Sequence, residues 1–262
     1  MLEPILAYMR CPQCAGTNLR ADTSGVSCRS CKARYPLCDG ILDLIGDDAR
    51  EVITPFQRAM QAPLVVSVYE SFWRRLGYFV ASSRPFEKEV QTILRLQRGR
   101  QTERVLDLAC GTGVFTRPLA RQARGIVVGL DLSWPMLFRA RRLLEREGLQ
   151  NIVLMRGTAF RLPFIASTFR YINCCGALHL FDQPESALKE IERVLHPEGY
   201  LSVQTAIRPE HSGGIAYLLE RLIRFGFFNE SELRERVRLH GLKMLESERH
   251  RLSFTFLARH IS

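Results

Sequence analysis

Val105-Leu-Asp-Leu-Ala-Cys-Gly-Thr-Gly113 is the stretch that decides the fold of this 262-residue chain. A short apolar run carries Asp107 and leads directly into a turn that contains Gly111 and Gly113. Glycine lets the backbone come close to a bound ligand at points where any side chain would collide with it. The stretch therefore predicts a buried strand that is followed by a ligand-binding turn.

The sequence around this turn alternates short apolar runs with amphipathic segments. Apolar runs lie at Val105 to Ala109, Ile126 to Leu130, Ile152 to Met155, Tyr171 to Cys175 and Tyr200 to Thr205. Helical patterns lie at 116–123, 135–147 and 184–195, another helix begins at the N-cap residue Asn229, and two last runs lie at 243–249 and 252–258. Such alternation predicts an α/β fold with a doubly wound, Rossmann-like sheet that is mostly parallel and ends in an antiparallel strand.

The glycine turn fits more than one nucleotide cofactor, because NAD-binding folds use a similar turn. Two details favour S-adenosylmethionine: Asp107 lies inside the strand, and residues 114–116 offer no third glycine for a pyrophosphate. Asp131 follows the next predicted strand, where a carboxylate can accept both ribose hydroxyls of either cofactor.

Three later segments resemble motifs of the class I S-adenosylmethionine-dependent methyltransferases. They are Arg156-Gly-Thr-Ala-Phe-Arg-Leu-Pro-Phe164, Cys174-Cys-Gly-Ala-Leu-His-Leu-Phe181 and Val194-Leu-His-Pro-Glu-Gly-Tyr200. Thr158 stands where the family usually has Asp, and Glu198 stands where it has Gly. The resemblance implies a set of cofactor-binding residues: Asp107, Ala109, Cys110, Gly111, Gly113, Asp131, Leu132, Thr158, Ala159 and Phe160.

The chemistry that this resemblance implies does not require a catalytic side chain, because the sulfonium of the cofactor is already electrophilic. His179, at the end of the predicted fourth strand, is the candidate for an acid/base role, with substrate positioning or pocket support as the alternative. A predicted apolar lid at 52–80 and a cap helix at 213–228 would line the acceptor pocket. The pocket residues predicted in this way are Tyr69, Trp73, His179 and Leu222.

Four cysteines near the N-terminus form two C-x2-C pairs, Cys11-Pro-Gln-Cys14 and Cys28-Arg-Ser-Cys31. Two such pairs supply a closed tetrahedral set of thiolates, which predicts a structural Zn²⁺ held by Cys11, Cys14, Cys28 and Cys31. Disulfides or unligated thiols are the alternative. With the following segment Tyr35 to Leu44, this region resembles the small zinc-ribbon protein that activates several eukaryotic methyltransferases, with Leu42 in place of a usual proline.

These patterns predict three parts: a zinc ribbon at 1–46, a linker and helical lid at 47–100, and a methyltransferase domain at 101–262. The sequence has no uninterrupted apolar run of about 18 residues, and its start lacks the basic and apolar regions of a secretory signal. We therefore expect a cytoplasmic protein without a transmembrane segment.

The nature of the acceptor is the least determined part of the interpretation. A net charge of +10 keeps an RNA acceptor open, with Arg139, Arg141 and Arg142 as candidate contacts. The predicted ribbon is nearly neutral, however, which favours a small or lipid-like acceptor. The whole chain resembles plastid methyltransferase-like proteins of plants, whose cores are similar to ubiquinone and menaquinone methyltransferases. Bacterial rRNA guanine methyltransferases are a second resemblance, and a non-catalytic partner-binding or activator module is a third hypothesis.

Overall fold

The computed structural model describes residues 2–45, 74–100, 103–208 and 226–261. Its strands are β1 (Leu19–Asp22), β2 (Gly25–Cys28), β3 (Arg34–Cys38), β4 (Ile41–Asp43), β5 (Arg104–Leu108), β6 (Ile126–Asp131), β7 (Ile152–Arg156), β8 (Phe169–Cys175), β9 (Leu195–Ala206), β10 (Leu242–His250) and β11 (Ser253–His260). Its helices are α1 (Glu3–Leu6), α2 (Arg74–Ser82), α3 (Phe86–Gln97), α4 (Thr116–Gln122), α5 (Trp134–Arg146), α6 (Pro184–Val194) and α7 (Glu230–Leu239), with a 3-10 turn at Leu178–Leu180. None of these helices has the length and apolarity needed to span a membrane.

The strands form one continuous sheet in the order β1-β2-β3-β4-β7-β6-β5-β8-β9-β11-β10. From β4 to β9 the neighbouring strands of this order run parallel, whereas β11 is antiparallel to β9 and β10 is antiparallel to β11. The predicted Rossmann-like sheet with an antiparallel end is therefore confirmed.

The central strands are mostly apolar because both faces of the sheet are covered. Successive residues of β5 illustrate this, since Val105 packs with Phe115 and Tyr171 on one face. The next residue, Leu106, packs on the opposite face, in a second apolar cluster that includes Ile172. Val105 and Leu106 are both fully buried. Because the central strands run parallel, their carboxyl ends meet at one shared edge of the sheet.

The four-cysteine segment is built onto the edge of this sheet. Strand β4 pairs in parallel with β7, and the pairing places Ile41 opposite Leu154 and Leu42 opposite Met155. A second contact lies beside α1, where Arg10 N donates to Pro163 O at 2.9 Å. The sequence analysis did not predict either contact, although it did predict the ribbon itself.

The ends of the elements differ in places from the sequence predictions. Strand β9 begins five residues earlier than the predicted Tyr200, because Leu195 already pairs with Phe169 and a register shift follows. The predicted start of α7 is confirmed, since Asn229 Oδ1 accepts a hydrogen bond from Ser231 N at 3.0 Å. Residues 47–73 of the predicted linker and lid and most of the cap helix, including Tyr69, Trp73 and Leu222, lie outside the described residues.

Candidate functional site

The glycine turn after β5 has the backbone conformation that its sequence predicts. Ala109, Gly111 and Gly113 all have positive φ angles, of 55°, 55° and 79°. A Cβ placed on Gly111 would meet no atom within 4 Å among the described parts of the chain, so the turn faces open space at this point. A ligand can therefore approach the backbone here closely.

Asp131 lies at the end of β6, directly beside the turn. Its Oδ2 accepts a hydrogen bond from Gly111 N at 2.8 Å, and its Oδ1 accepts one from Ser133 N at 2.9 Å. A carboxylate has about four acceptor positions, so two amide donors leave capacity for hydroxyl groups of a ligand. Burial raises the pKa of Asp131, and the hydrogen bonds from Ser133 and Gly111 oppose this rise.

Asp107 lies in β5, directly before the glycine turn, and its predicted contact with the cofactor stays a prediction. The Asp107 side chain is buried and accepts hydrogen bonds from Thr116 Oγ1 at 2.5 Å and from Asn173 Nδ2 at 2.7 Å. It thus connects the start of the turn to α4 and β8. This geometry indicates that Asp107 supports the turn from behind.

Cys110 also points away from the open side of the turn. Its side chain packs in an apolar cluster with Leu137, Ala140 and Leu154, and burial raises its pKa well above the usual range. Only the backbone of Cys110 is therefore left to contact a ligand at the turn. Leu132 is also a predicted cofactor-binding residue, and its carbonyl oxygen accepts a hydrogen bond from Arg156 Nε at 3.2 Å.

The segment after β7 lies next to Asp131, as the sequence motifs predict. Gly157 N donates to the backbone oxygen of Asp131 at 3.0 Å. Thr158 Oγ1 accepts a hydrogen bond from Phe160 N at 3.1 Å, which fixes the tight turn between them. Ala159 is buried, and the Phe160 ring meets the Phe181 ring edge-on at a centroid distance of 5.7 Å.

His179 lies in the 3-10 turn after β8 and is nearly buried. Ala206 N donates to His179 Nδ1 at 3.3 Å, and Thr205 Oγ1 is 3.3 Å from the same nitrogen. Because the backbone N–H needs an acceptor, the hydrogen-bond network assigns the proton of the neutral ring to Nε2. In this tautomer Nε2 of His179 is a hydrogen-bond donor. The acid/base role of His179 stays a prediction.

The chain passes His179 twice at this edge of the sheet. It leaves β9 at Ala206, and it returns at Gly226, whose N–H donates to His179 O at 3.0 Å. Phe228 then forms a single parallel bridge with Ile207. Ala206 and Gly226 therefore both lie beside His179.

The four predicted metal ligands converge. Their Sγ atoms all lie within 4.8 Å of one another, with Cys11 to Cys31 and Cys14 to Cys28 both at 3.6 Å. Four thiolates at Zn–S bond lengths of about 2.3 Å would stand roughly 3.8 Å apart around a tetrahedral ion. The cluster therefore fits a structural zinc ion, whereas the sulfurs are much too far apart for disulfide bonds.

Three residues of this region were not singled out by the sequence analysis. Asn173 and Thr116 hold Asp107, and Arg156 contacts both Leu132 O and the carboxylate of Asp43. Asn173 could have been recognised in the sequence, because it is a polar residue inside the predicted buried strand 171–175. The pairing of Arg156 with Asp43 could not, since it depends on the contact between two segments that are far apart in the chain.

Parts of this chain are similar in sequence to known methyltransferases. Residues 105–199 match the family model described as a methyltransferase domain. An uncharacterised chloroplastic methyltransferase of Arabidopsis thaliana is 29% identical over 236 residues, which cover 83% of this chain and 65% of that protein. A demethylmenaquinone methyltransferase of Listeria welshimeri is 32% identical over 130 residues, covering 49% of this chain and 54% of that protein.

A solved structure supports the fold. The crystal structure of a SAM-dependent methyltransferase from Aquifex aeolicus aligns with a TM-score of 0.58 at 17% identity, covering 76% of this chain and 98% of that chain. The aligned part of this chain thus has the fold of that protein. In sequence, the chain spans about two thirds or less of the length of the two relatives above.

Proposed function

We propose that this chain, which contains a methyltransferase domain, uses S-adenosylmethionine to methylate a small or lipid-like acceptor. The observation that carries the proposal is the open side of the glycine turn, bordered by Gly111 and the carboxylate of Asp131. Hydroxyl groups of a ribose are suited to the acceptor positions that Asp131 retains. Gly113 and the Thr158–Phe160 turn complete the proposed cofactor site.

The cofactor, when bound, supplies a methyl group on a positively charged sulfur. The chain then has to bind the acceptor, align it with that methyl group and keep water away. His179, with its proton on Nε2, is suited to orient an acceptor oxygen by donating a hydrogen bond. We therefore assign His179 a positioning role in place of a base.

An apolar surface at the same edge of the sheet supports a lipid-like acceptor. Leu76, Phe79 and Val80 on α2 are 42%, 56% and 61% exposed, and their i, i+3, i+4 spacing places them on one helix face. The end of α2 is fixed to this edge, because Leu252 N donates to Ala81 O at 2.9 Å. The name of the Listeria relative, a demethylmenaquinone methyltransferase, points to the same class of acceptor.

RNA is the second candidate acceptor, and one predicted contact counts against it. The Arg141 guanidinium already pairs with Glu145 Oε1 at 2.8 Å and also donates to Asp39 O of the ribbon. An arginine with two protein acceptors is less available for phosphates. The net charge of +10 is the observation that still favours RNA.

Calorimetric titration of the zinc-loaded chain with S-adenosylhomocysteine tests the cofactor assignment. We expect saturable binding that Asp131→Ala removes and Asp22→Ala leaves intact, because Asp22 serves an exposed hairpin turn in the ribbon. Absence of binding by folded wild-type protein would contradict the enzyme proposal and favour a partner-binding module.

A methyl-labelled cofactor then identifies the acceptor class. The chain and the labelled cofactor are incubated with lipid extract and with RNA, both prepared from one culture of cells. We expect the label to move into the organic phase. Label that instead stays with RNA and is released by ribonuclease would support the second candidate.

A further inference from the structure

Three charged residues form a row across the strands where the ribbon meets the methyltransferase sheet. Asp43 of β4 is paired with Arg156 of β7, and Arg156 is paired with Asp131 of β6. All three strands run parallel, so the row lies at their carboxyl ends. The ribbon thus contributes a carboxylate to the same edge that carries the proposed ribose-binding residue.

Arg156 connects the two sides of this row. Its Nη1 lies 3.3 and 3.2 Å from the two carboxylate oxygens of Asp43, and its Nε donates to Leu132 O at 3.2 Å. The side chains of Arg156 and Asp43 are only 15% and 9% exposed. A planar guanidinium can reach both acceptors at once, and in a largely buried setting this fixes the relative positions of its partners.

The backbone that Arg156 holds is the one that carries the Asp131 carboxylate. Leu132 follows Asp131 directly, and Gly157 N holds the carbonyl of Asp131 at 3.0 Å. The Arg156 guanidinium also lies over the Trp134 ring, 5.2 Å from its centroid, at the start of α5. Movement of Asp131 is therefore restricted from the side of the ribbon.

We propose that Asp43 and Arg156 are positioning residues for the ribose of the cofactor, so that the ribbon helps to shape the cofactor site of the same chain. The inference rests on the proposed function, because it assigns Asp131 to the ribose hydroxyls. Neither Asp43 nor Arg156 needs to touch the cofactor. Their effect passes through Leu132 and the backbone of Asp131.

The test compares two ligands on the zinc-loaded full chain by calorimetry: S-adenosylhomocysteine and an analogue whose ribose lacks both hydroxyls. Arg156→Lys keeps the charge beside Asp43, but one ammonium cannot also replace the Nε bond to Leu132 O. We expect roughly tenfold weaker binding of S-adenosylhomocysteine, as for the loss of one charge-assisted hydrogen bond. Binding of the analogue should stay within about twofold of wild type, because it makes no bond that a displaced Asp131 would weaken.

Arg10→Lys is the matched control. Arg10 also joins the N-terminal segment to the core, with Nε 3.4 Å from Leu162 O and Nη2 3.3 Å from Glu190 Oε2. Its contacts are of the same kind but lie away from Asp131. We expect this variant to bind both ligands as wild type does, and Asp43→Asn to behave like Arg156→Lys.

The outcomes separate this inference from the proposed function. Equal affinity of wild type and Arg156→Lys for S-adenosylhomocysteine, or an equal loss for both ligands, would overturn the positioning role while the cofactor site stands. Failure of wild-type protein to bind S-adenosylhomocysteine would overturn the proposed function and the inference with it. If Asp43→Asn does not fold, Arg156→Lys decides alone, because it retains the buried charge pair.

Discussion

Asn173 donates a hydrogen bond from Nδ2 to the carboxylate of Asp107 at 2.7 Å, across the paired strands β8 and β5. Both side chains are buried, and the amide oxygen of Asn173 accepts a hydrogen bond from Ser202 Oγ at 2.9 Å. Side-chain hydrogen bonds thus join β5, which enters the glycine turn, to β8, and join β8 in turn to β9. This network explains why a carboxylate is tolerated in the middle of an apolar strand.

Asn173→Ala should lower the free energy of unfolding by about 1–3 kcal/mol, because it removes donors and acceptors from buried partners. Denaturant unfolding measures the loss. Asn151→Ala is the control, since Asn151 Nδ2 donates to Ala120 O and Gly125 O at the opposite edge of the sheet. Weakened cofactor binding with unchanged stability in Asn173→Ala would instead favour a direct contact between Asp107 and the ligand.

Binding of S-adenosylhomocysteine should weaken as the pH falls through the raised pKa of Asp131. Burial raises this pKa above the ordinary value of about 3.9, and only the ionised carboxylate keeps all its acceptor positions. The stability of the unliganded chain has the opposite sign: the contribution of Asp131 is present at low pH and is lost as the pH rises through the folded pKa. Calorimetry at several pH values, with Asp131→Ala as the control, measures the effect; a flat profile contradicts it.

Tyr35→Phe should weaken zinc binding by about 10- to 100-fold, as expected when a hydrogen bond to a ligating group is lost. The Tyr35 hydroxyl lies 3.0 Å from Cys11 Sγ, where it can donate to the thiolate. Competition with a chromophoric chelator measures the affinity. Tyr8→Phe is the control because the Tyr8 ring faces the Arg104 guanidinium, 5.4 Å away; equal affinity of both variants would contradict the role of Tyr35.

The neutral imidazole of His179 should carry its proton on Nε2, because Nδ1 accepts from Ala206 N. Nitrogen-15 NMR of the imidazole distinguishes this tautomer, and Thr205→Val tests whether the neighbouring hydroxyl is needed for it. We expect the tautomer to persist in Thr205→Val, because Ala206 N still donates to Nδ1. A proton on Nδ1 would return His179 to the role of a candidate base.

Phe79→Ser should change the free energy of unfolding by no more than about 0.5 kcal/mol, because the Phe79 ring is 56% exposed. It should nevertheless raise the KM for a lipid acceptor, since an apolar contact at the edge beside His179 is lost. Leu239→Ser is the matched control: this side chain is 69% exposed and belongs to the last residue of α7. It lies near Leu242 at the start of β10, at the opposite end of that strand from Leu252. Equal KM values for both variants would contradict the acceptor role of α2.

Much of the fold follows from local patterns in the sequence. Strands such as β5 and β8 are mostly apolar runs because both faces of the sheet are covered. The four-cysteine spacing brings its thiolates together within one short segment. Glycines with positive φ mark the turn at Gly111 and Gly113. These features depend on neighbouring residues, so they can be recognised in the sequence.

The remaining features depend on contacts between distant segments. The resemblance implies a cofactor contact for Asp107, and the local sequence does not show that its side chain also bonds Asn173, which lies 66 positions along the chain. The pairing of Asp43 with Arg156 across 113 positions is of the same kind. Neither spacing leaves a periodic signal, since register between strands is set by the assembled sheet.

The pairing of β4 with β7 also protects the chain from association with copies of itself. Without β4, the run Ile152–Arg156 would present unpaired N–H and C=O groups along an apolar edge strand, which is a template for pairing with another chain. The short, polar hairpin of β1 and β2 takes that outer position instead, with alternating exposed residues along β1. A shortened protein that begins after residue 46 would therefore lose its protected edge and tend to aggregate through β7.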